Sequence, residues 1–243
     1  MTRSIQCAMK AVVLASGGLD STVAAAMARH DGYALYLLTI EYGQRHHVEI
    51  QRAREIAAWL GAAEHKILRF DLHEFGGSAL VGSEDVPKNR SDQERQTGIP
   101  STYVPARNTI FLSLALAYAE VVDASCIFIG ANVLDYSGYP DCRPEFLRAF
   151  ERVARLGTKK GTHGDTVQIK APLLLLSKTQ IIQQGLALGV PFELTHSCYD
   201  PREDGSACGQ CDSCLIRLKG FEDAGLRDPA LYVAKTSDGS SAL

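Results

Sequence analysis

Ala11, Val12, Val13 and Leu14 form a continuous apolar run that breaks at Ser16-Gly17-Gly18, and helix-compatible sequence begins at Asp20. An apolar run without alternation is what a parallel strand buried on both faces looks like. The pattern then recurs. Residues 33–40 predict a second strand, 48–60 an amphipathic helix stopped by Gly61, and 66–70 a third strand. Residues 109–122 predict a long helix rich in Ala and Leu, and 126–129 a fourth strand closed by Gly130. Strands that alternate with helices predict an α/β fold, a doubly wound parallel sheet. Such sheets bind ligands beyond the carboxyl ends of their strands, near the point where strand order reverses. Two polar, glycine-bearing stretches interrupt the alternation. Residues 76–101 predict a loop over the site or an ordered excursion, and 157–166 are similar. Residues 177–188 predict another helix, and the chain from Val190 onward reads as a compact tail.

Composition narrows the function classes. The 243 residues are 46% hydrophobic and 22% charged, with a formal net charge of −3, which suits one globular α/β domain with a small appendage. A net negative chain argues against a surface built for nucleic acid, which needs clustered Lys and Arg. No apolar run, Pro172 to Leu176 included, approaches the length that spans a bilayer, and the first ten residues do not read as a secretory signal. The expectation is a cytoplasmic protein with no membrane and no nucleic-acid partner.

The string Ser16-Gly17-Gly18-Leu19-Asp20-Ser21-Thr22 joins a strand to a helix. Its glycines permit close approach of a ligand to the backbone, and the helix start offers N–H groups and a positive dipole end to an anion. Ser16, Ser21 and Thr22 add hydroxyls, and Asp20 suits a magnesium ion held against phosphates. The Gly-Lys-Ser/Thr of a P-loop is missing. The expected nucleotide-binding segment is Ala15, Ser16, Gly17, Gly18, Leu19, Asp20, Ser21, Thr22, Val23, Ala24 and Ala25.

Seven cysteines are present, and four fall as Cys198-x9-Cys208-x2-Cys211-x2-Cys214. Two-residue gaps let thiolates converge on one ion, and four thiolates fill a tetrahedral zinc shell with no open position, the mark of a structural site. An iron–sulfur cluster is the rival, but no Cys-Pro follows and the fourth ligand lies upstream. Cys7 and Cys126 read as inert apolar residues. The chain therefore divides into residues 8–190 as the nucleotide-binding domain, 191–236 as a four-cysteine zinc-binding region packed on it, and 237–243 as a flexible tail.

Three polar clusters fall just past strands or just before helices: Tyr42-Gly43-Gln44-Arg45-His46-His47, Tyr103-Val104-Pro105-Ala106-Arg107-Asn108, and residues 135–143, Asp-Tyr-Ser-Gly-Tyr-Pro-Asp-Cys-Arg. Each alone reads as a solvated loop. Together with the phosphate loop they read as one site.

These strings carry a resemblance. Ser-Gly-Gly-x-Asp-Ser resembles the pyrophosphate loop of the PP-loop ATP pyrophosphatase superfamily, whose fold is like that of the adenine nucleotide α-hydrolases. The phosphate loop, Tyr42 to His46, Val104 to Asn108, Asp135 to Arg143, and Ser197-Cys198-Tyr199 with the cysteine cluster are similar, in that order, to the 7-cyano-7-deazaguanine synthases of queuosine biosynthesis. The likeness covers residues 10–229. It departs at His196, where tryptophan is common, and at Leu215, where arginine is common. The resemblance implies an ATP-dependent ligase that adenylates 7-carboxy-7-deazaguanine, admits ammonia to form an amide, and activates the amide again to form the nitrile. It implies ATP, Mg2+ and one structural Zn2+ per chain, and a homodimer. The implied roles are pyrophosphate stabilisation by Arg107 and Lys178, substrate contacts from Asp135, Asp141 and Arg143, and ring or edge contacts from Tyr42, Gln44, Arg45, His46, Asn108, Tyr136 and Tyr139. Relatives that stop at the amide or acylate another amine, a tRNA thiolase using Cys142, and a nucleotide-binding module without turnover remain as alternatives.

Overall fold

The computed structural model describes residues 8–44, 48–95, 97–134 and 139–233. The chain runs β1 (Lys10–Leu14), α1 (Leu19–His30), β2 (Ala34–Glu41), α2 (Val48–Leu60), β3 (Glu64–Arg69), α3 (Asp92–Arg95), α4 (Arg107–Val122), β4 (Cys126–Phe128), α5 (Pro144–Gly157), α6 (Lys159–Thr162), β5 (Gln168–Lys170), α7 (Lys178–Ala187) and α8 (Asp212–Asp223). The five strands pair in parallel in the order β3-β2-β1-β4-β5. Val12 at the centre registers with Tyr36 on one side and Ile127 on the other. The order reverses direction between β1 and β4, so the carboxyl ends of these two strands frame a crevice.

Strand alternation sends β1 side chains to two separate cores. Val12 and Leu14 join Leu112, Ala115 and Ala119 of α4 and Leu147, Phe150 and Ala154 of α5. Ala11 and Val13 join Val23 and the alanines of α1, Ile56 of α2, Ile181 and Ile182 of α7 and Phe221 of α8. Both faces of the sheet are therefore covered by helices, the arrangement expected of an all-apolar parallel strand.

The elements α3, α5, α6, β5 and α8 are additional to those expected from the sequence. Among the described residues, no helix is long and apolar enough to cross a membrane. Cys7, Arg45, His46, His47, Asp135, Tyr136, Ser137, Gly138 and residues 237–243 lie outside the described residues.

The tail is tied down by a buried ion pair. Arg217 of α8 donates from Nε to Asp228 Oδ2 at 2.8 Å and from Nη2 to Asp228 Oδ1 at 2.9 Å. Its remaining donors reach Thr195 Oγ1 at 2.7 Å and Phe192 O at 3.0 Å, and Tyr232 Oη donates to Asp228 at 2.6 Å. Removing one partner strands a buried charge, which costs about 3–5 kcal/mol. Arg217→Ala is accordingly expected to lower unfolding stability by about that amount, read from the shift in the urea transition.

Candidate active site and metal centre

The phosphate loop is fixed from three sides. Gly17 has φ +85°, and a Cβ there would lie 2.5 Å from the Glu49 carbonyl oxygen and 2.9 Å from Ala53 N, both backbone atoms of α2. Only glycine meets both demands. His196 N donates to Gly17 O at 2.9 Å, and Leu19 N donates to Ser197 Oγ at 3.4 Å, so the cysteine-bearing tail braces the loop. Within the loop, Gly18 N donates to Ser16 Oγ at 3.2 Å, Ser16 N donates to Ser21 Oγ at 3.2 Å, and Ser21 Oγ donates to Gly18 O at 3.1 Å. Gly18 is the N-cap of α1 and supplies no capping side chain, which leaves the positive end of the helix facing the crevice.

A cavity of about 240 Å³ opens there. Of the expected nucleotide segment, Ala15, Ser16, Gly18, Leu19, Asp20 and Ser21 line it, while Gly17 shapes the loop from behind. Thr22, Val23, Ala24 and Ala25 do not line it: they are buried in α1, and Thr22 Oγ1 is used on Gly18 O at 2.8 Å. Asp20 Oδ1 accepts from Lys178 Nζ at 2.6 Å, and Lys178 reaches the loop through this pair without lining the cavity.

Other lining residues are aromatic and cationic. Tyr42, Gln44, Arg107, Asn108 and Tyr139 all line the cavity. The Tyr42 ring meets Phe111 edge-on at 5.4 Å, and the Arg107 guanidinium lies 5.8 Å from the Tyr42 ring centroid with Nη1 donating to its hydroxyl at 3.4 Å. Gln44 Oε1 accepts from Tyr42 N at 2.7 Å, so this amide holds the turn after β2. The hydroxyls of Tyr139 and Thr102 lie 2.9 Å apart.

Two expected substrate contacts are placed elsewhere. Asp141 is buried away from the cavity, and its Oδ2 accepts the backbone N–H of Asn108 at 3.0 Å. Asn108 Nδ2 donates back to Asp141 O at 3.1 Å. The carboxylate thus satisfies the start of α4, where the dipole favours it. Arg143 is exposed, donates to Pro140 O at 3.1 Å, and does not line the cavity.

The cavity also contains residues that sequence reasoning did not single out. Glu49, in the first turn of α2, lines it beside Arg107 and Tyr42. Burial pushes its carboxyl up to about 7, against the opposing pull of Arg107. An acidic residue in a first helical turn ordinarily reads as a dipole partner, which hid it. Asn132, past the end of β4, donates to Leu173 O at 2.8 Å and Leu176 O at 2.6 Å, joining the crevice to the approach to α7.

The four clustered cysteines converge as their spacing predicts. The sulfurs of Cys198, Cys208, Cys211 and Cys214 all lie within 4.8 Å of one another, with Cys208 and Cys214 at 4.0 Å. Zinc–sulfur bonds of about 2.3 Å in a tetrahedron place sulfurs about 3.8 Å apart, so the set fits zinc. Backbone N–H groups face the sulfurs: Cys208 N to Cys198 Sγ at 3.2 Å, Cys211 N to Cys208 Sγ at 3.3 Å, and Tyr199 N to Cys211 Sγ at 3.5 Å. These orient toward the negative charge of thiolates. The long stretch after β3 is an excursion pinned to this centre: Asn89 N donates to Gln210 O at 2.8 Å, Lys88 pairs with Asp200 at 2.8 Å, and Arg90 pairs with Asp212 at 2.8 Å.

A doubly wound sheet with a glycine phosphate loop at its switch point, braced by a four-cysteine tail, defines an α/β protein of nucleotide-binding architecture. Within that class the chain belongs to the family described as queuosine biosynthesis protein QueC, which matches residues 10–225. The 7-cyano-7-deazaguanine synthase of Desulfatibacillum aliphaticivorans is 58% identical over 225 residues, 92% of this chain and 97% of that one. The 7-cyano-7-deazaguanine synthase of Syntrophotalea carbinolica is 59% identical over 224 residues, 92% and 96% of the two chains. Among solved structures, NMN synthetase from Francisella tularensis superposes with a TM-score of 0.49 at 20% identity, covering 91% of this chain and 79% of that one.

Proposed function

We propose that this chain is a 7-cyano-7-deazaguanine synthase of queuosine biosynthesis: it consumes 7-carboxy-7-deazaguanine, ATP and ammonia and releases the nitrile. The observation that supports this most directly is one cavity lined by two chemically distinct sets of residues. One set is Ser16, Ser21 and the start of α1, whose N-cap offers no side chain; the other is Tyr42, Arg107 and Tyr139. The first set suits phosphates, and the second suits a flat heteroaromatic acid.

Neither a carboxylate oxygen nor an amide oxygen leaves readily until it is adenylated. The reading is therefore two successive activations with AMP and pyrophosphate as nucleotide products. Ser16, Gly18 and Ser21 hold phosphates through hydroxyl and N–H donors. Arg107 places a fixed positive charge where the reaction builds negative charge. Asp20 offers a hard carboxylate oxygen that would hold magnesium, which supplies charge neutralisation at the phosphates. The four thiolates would hold zinc as a structural ion, with no open position for chemistry.

A tRNA thiolase needs a reactive thiolate. Cys142 is the cavity's candidate, yet it is buried, its sulfur accepts from Asn108 Nδ2 at 3.3 Å, and burial pushes its thiol up to about 11. That environment disfavours nucleophilic sulfur.

Mass spectrometry after incubation with 7-carboxy-7-deazaguanine, ATP, magnesium and ammonium tests the reading. The nitrile and AMP are expected; the amide as sole end product, or ADP and phosphate without AMP, would sink it. In a separate exchange assay Asp20→Asn is expected to slow substrate-dependent incorporation of labelled pyrophosphate into ATP by on the order of 10²–10³-fold, the rate equivalent of several kcal/mol of metal-mediated charge stabilisation.

A further inference from the structure

We propose that Glu49 is a catalytic base of this site, taking the nitrogen-bound protons released as the carbon–nitrogen bonds are made. The inference rests on the functional reading above, and deepens it by giving the cavity a proton acceptor. Both nitrogen steps need one. When ammonia attacks the acyl adenylate, the C–N bond forms, the C–O bond to AMP breaks with its electron pair, and the nitrogen must shed a proton. When the amide oxygen displaces pyrophosphate from a second ATP, the nitrogen sheds one of its two protons as the adenylated imidate forms; when that imidate collapses to the nitrile, the second C–O bond breaks, AMP leaves again, and the last N–H proton departs as the third C–N bond forms. The first adenylation releases no proton: a carboxylate oxygen displaces pyrophosphate from ATP.

Geometry selects Glu49. Its carbonyl oxygen packs against Gly17, at 2.5 Å from where a Cβ would stand, so the start of α2 is locked to the phosphate loop. Glu49 lines the same cavity as Ser16, Gly18, Tyr42 and Arg107, within electrostatic reach of the last two. Glu49 keeps partial contact with solvent, which gives a captured proton a way out between steps. The other titratable groups of the wall are worse placed. Asp20 is paired with Lys178 at 2.6 Å, and Arg107 is a permanent cation. Burial pushes the Tyr42 and Tyr139 phenols and the Cys142 thiol upward, away from ready ionisation. Cys198 belongs to the four-cysteine cluster, Tyr199 is a phenol, and Nε2 of His196 is buried. The Arg107 charge keeps Glu49 ionisable despite burial, and its position about 7 suits a base operating near neutral pH.

The test separates the half-reactions. In Glu49→Gln, exchange of labelled pyrophosphate into ATP with 7-carboxy-7-deazaguanine is expected to stay within about threefold of the parent protein. Nitrile formation is expected to fall by on the order of 10²–10⁴-fold, the usual worth of a general base. The parent kcat/KM for nitrile formation is expected to rise with pH through about 7, because the base works only when ionised, and the residual rate of Glu49→Gln is expected to lack that limb. A folding control follows from linkage. A carboxyl near 7 in the folded chain, against about 4.3 unfolded, loses its stabilising share as pH rises between those values. At pH 8 Glu49→Gln is therefore expected to melt no lower than the parent. Wild-type nitrile formation in Glu49→Gln would overturn the proposal, and so would loss of exchange in step with nitrile formation, which would make Glu49 a binding or structural residue. Absence of exchange in the parent protein would instead overturn the functional reading, and this inference with it.

Discussion

Cys211→Ser is expected to strip the chain of its metal and unfold the tail. Cys211 is fully buried, its sulfur accepts the backbone N–H of Tyr199, and it begins α8 as the N-cap. A structural zinc site contributes on the order of 10–16 kcal/mol of apparent binding free energy that is also folding free energy. A serine oxygen supplies neither the soft donor nor the readily ionised form of a thiolate, so a large share of that stabilisation disappears. The consequence travels beyond the cluster. Residues 88–90 are held by Gln210, Asp200 and Asp212, and the phosphate loop is braced by His196 and Ser197 immediately before Cys198. The expected result is a metal content near zero by elemental analysis, protease cleavage in the tail, and pyrophosphate exchange reduced in parallel. A fully folded Cys211→Ser protein with unchanged exchange would show that the sulfur cluster does not organise the site.

The parts of the molecule visible in the sequence are those set by short-range periodicity. The apolar run of β1, the glycine break and the small-residue face of α1 are local signals, and α2 runs over residues 48–60 as its pattern predicts. The cysteine cluster was equally legible, because x2 spacing constrains where sulfurs can point. Side-chain destinations were less so. Asp141 lies 33 residues from the helix start that it caps, and nothing near it in the sequence announces that partner. Arg143, next to a proline that opens α5, reads as a substrate contact by resemblance but is exposed and donates to Pro140 O. Glu49 carried the opposite disguise: its position in a helix's first turn has an ordinary explanation until the fold brings Arg107 and Gly17 against it. The three-residue β5 offers too short a pattern to separate from a loop, whereas α5 has Leu147, Phe150 and Ala154 at helical spacing and was there to be read.

Gly130→Ala is expected to disable nucleotide handling while leaving the metal centre intact. Gly130 follows β4, on the far side of the switch point from the phosphate loop, and lines the cavity. A Cβ on it would stand 2.8 Å from Ser21 N, 2.9 Å from Asp20 C and 3.0 Å from Ser21 Cα. All three are backbone atoms of the first turn of α1, so no rotamer change relieves the contact. Either β4 withdraws or the helix start tips away from its anion-binding orientation. Overpacking of this kind costs about 1–3 kcal/mol of stability, which a domain of this size survives. Catalysis is less forgiving, because a shift of about 1 Å in a positioned reactant costs on the order of 10²-fold. Pyrophosphate exchange is expected to drop by at least that factor in a protein that keeps its metal and melts only modestly lower. Exchange at the parent rate would mean that the α1 N-terminus does not set the position of the phosphates, and the anion-binding part of the cavity would have to be sought around Arg107 instead.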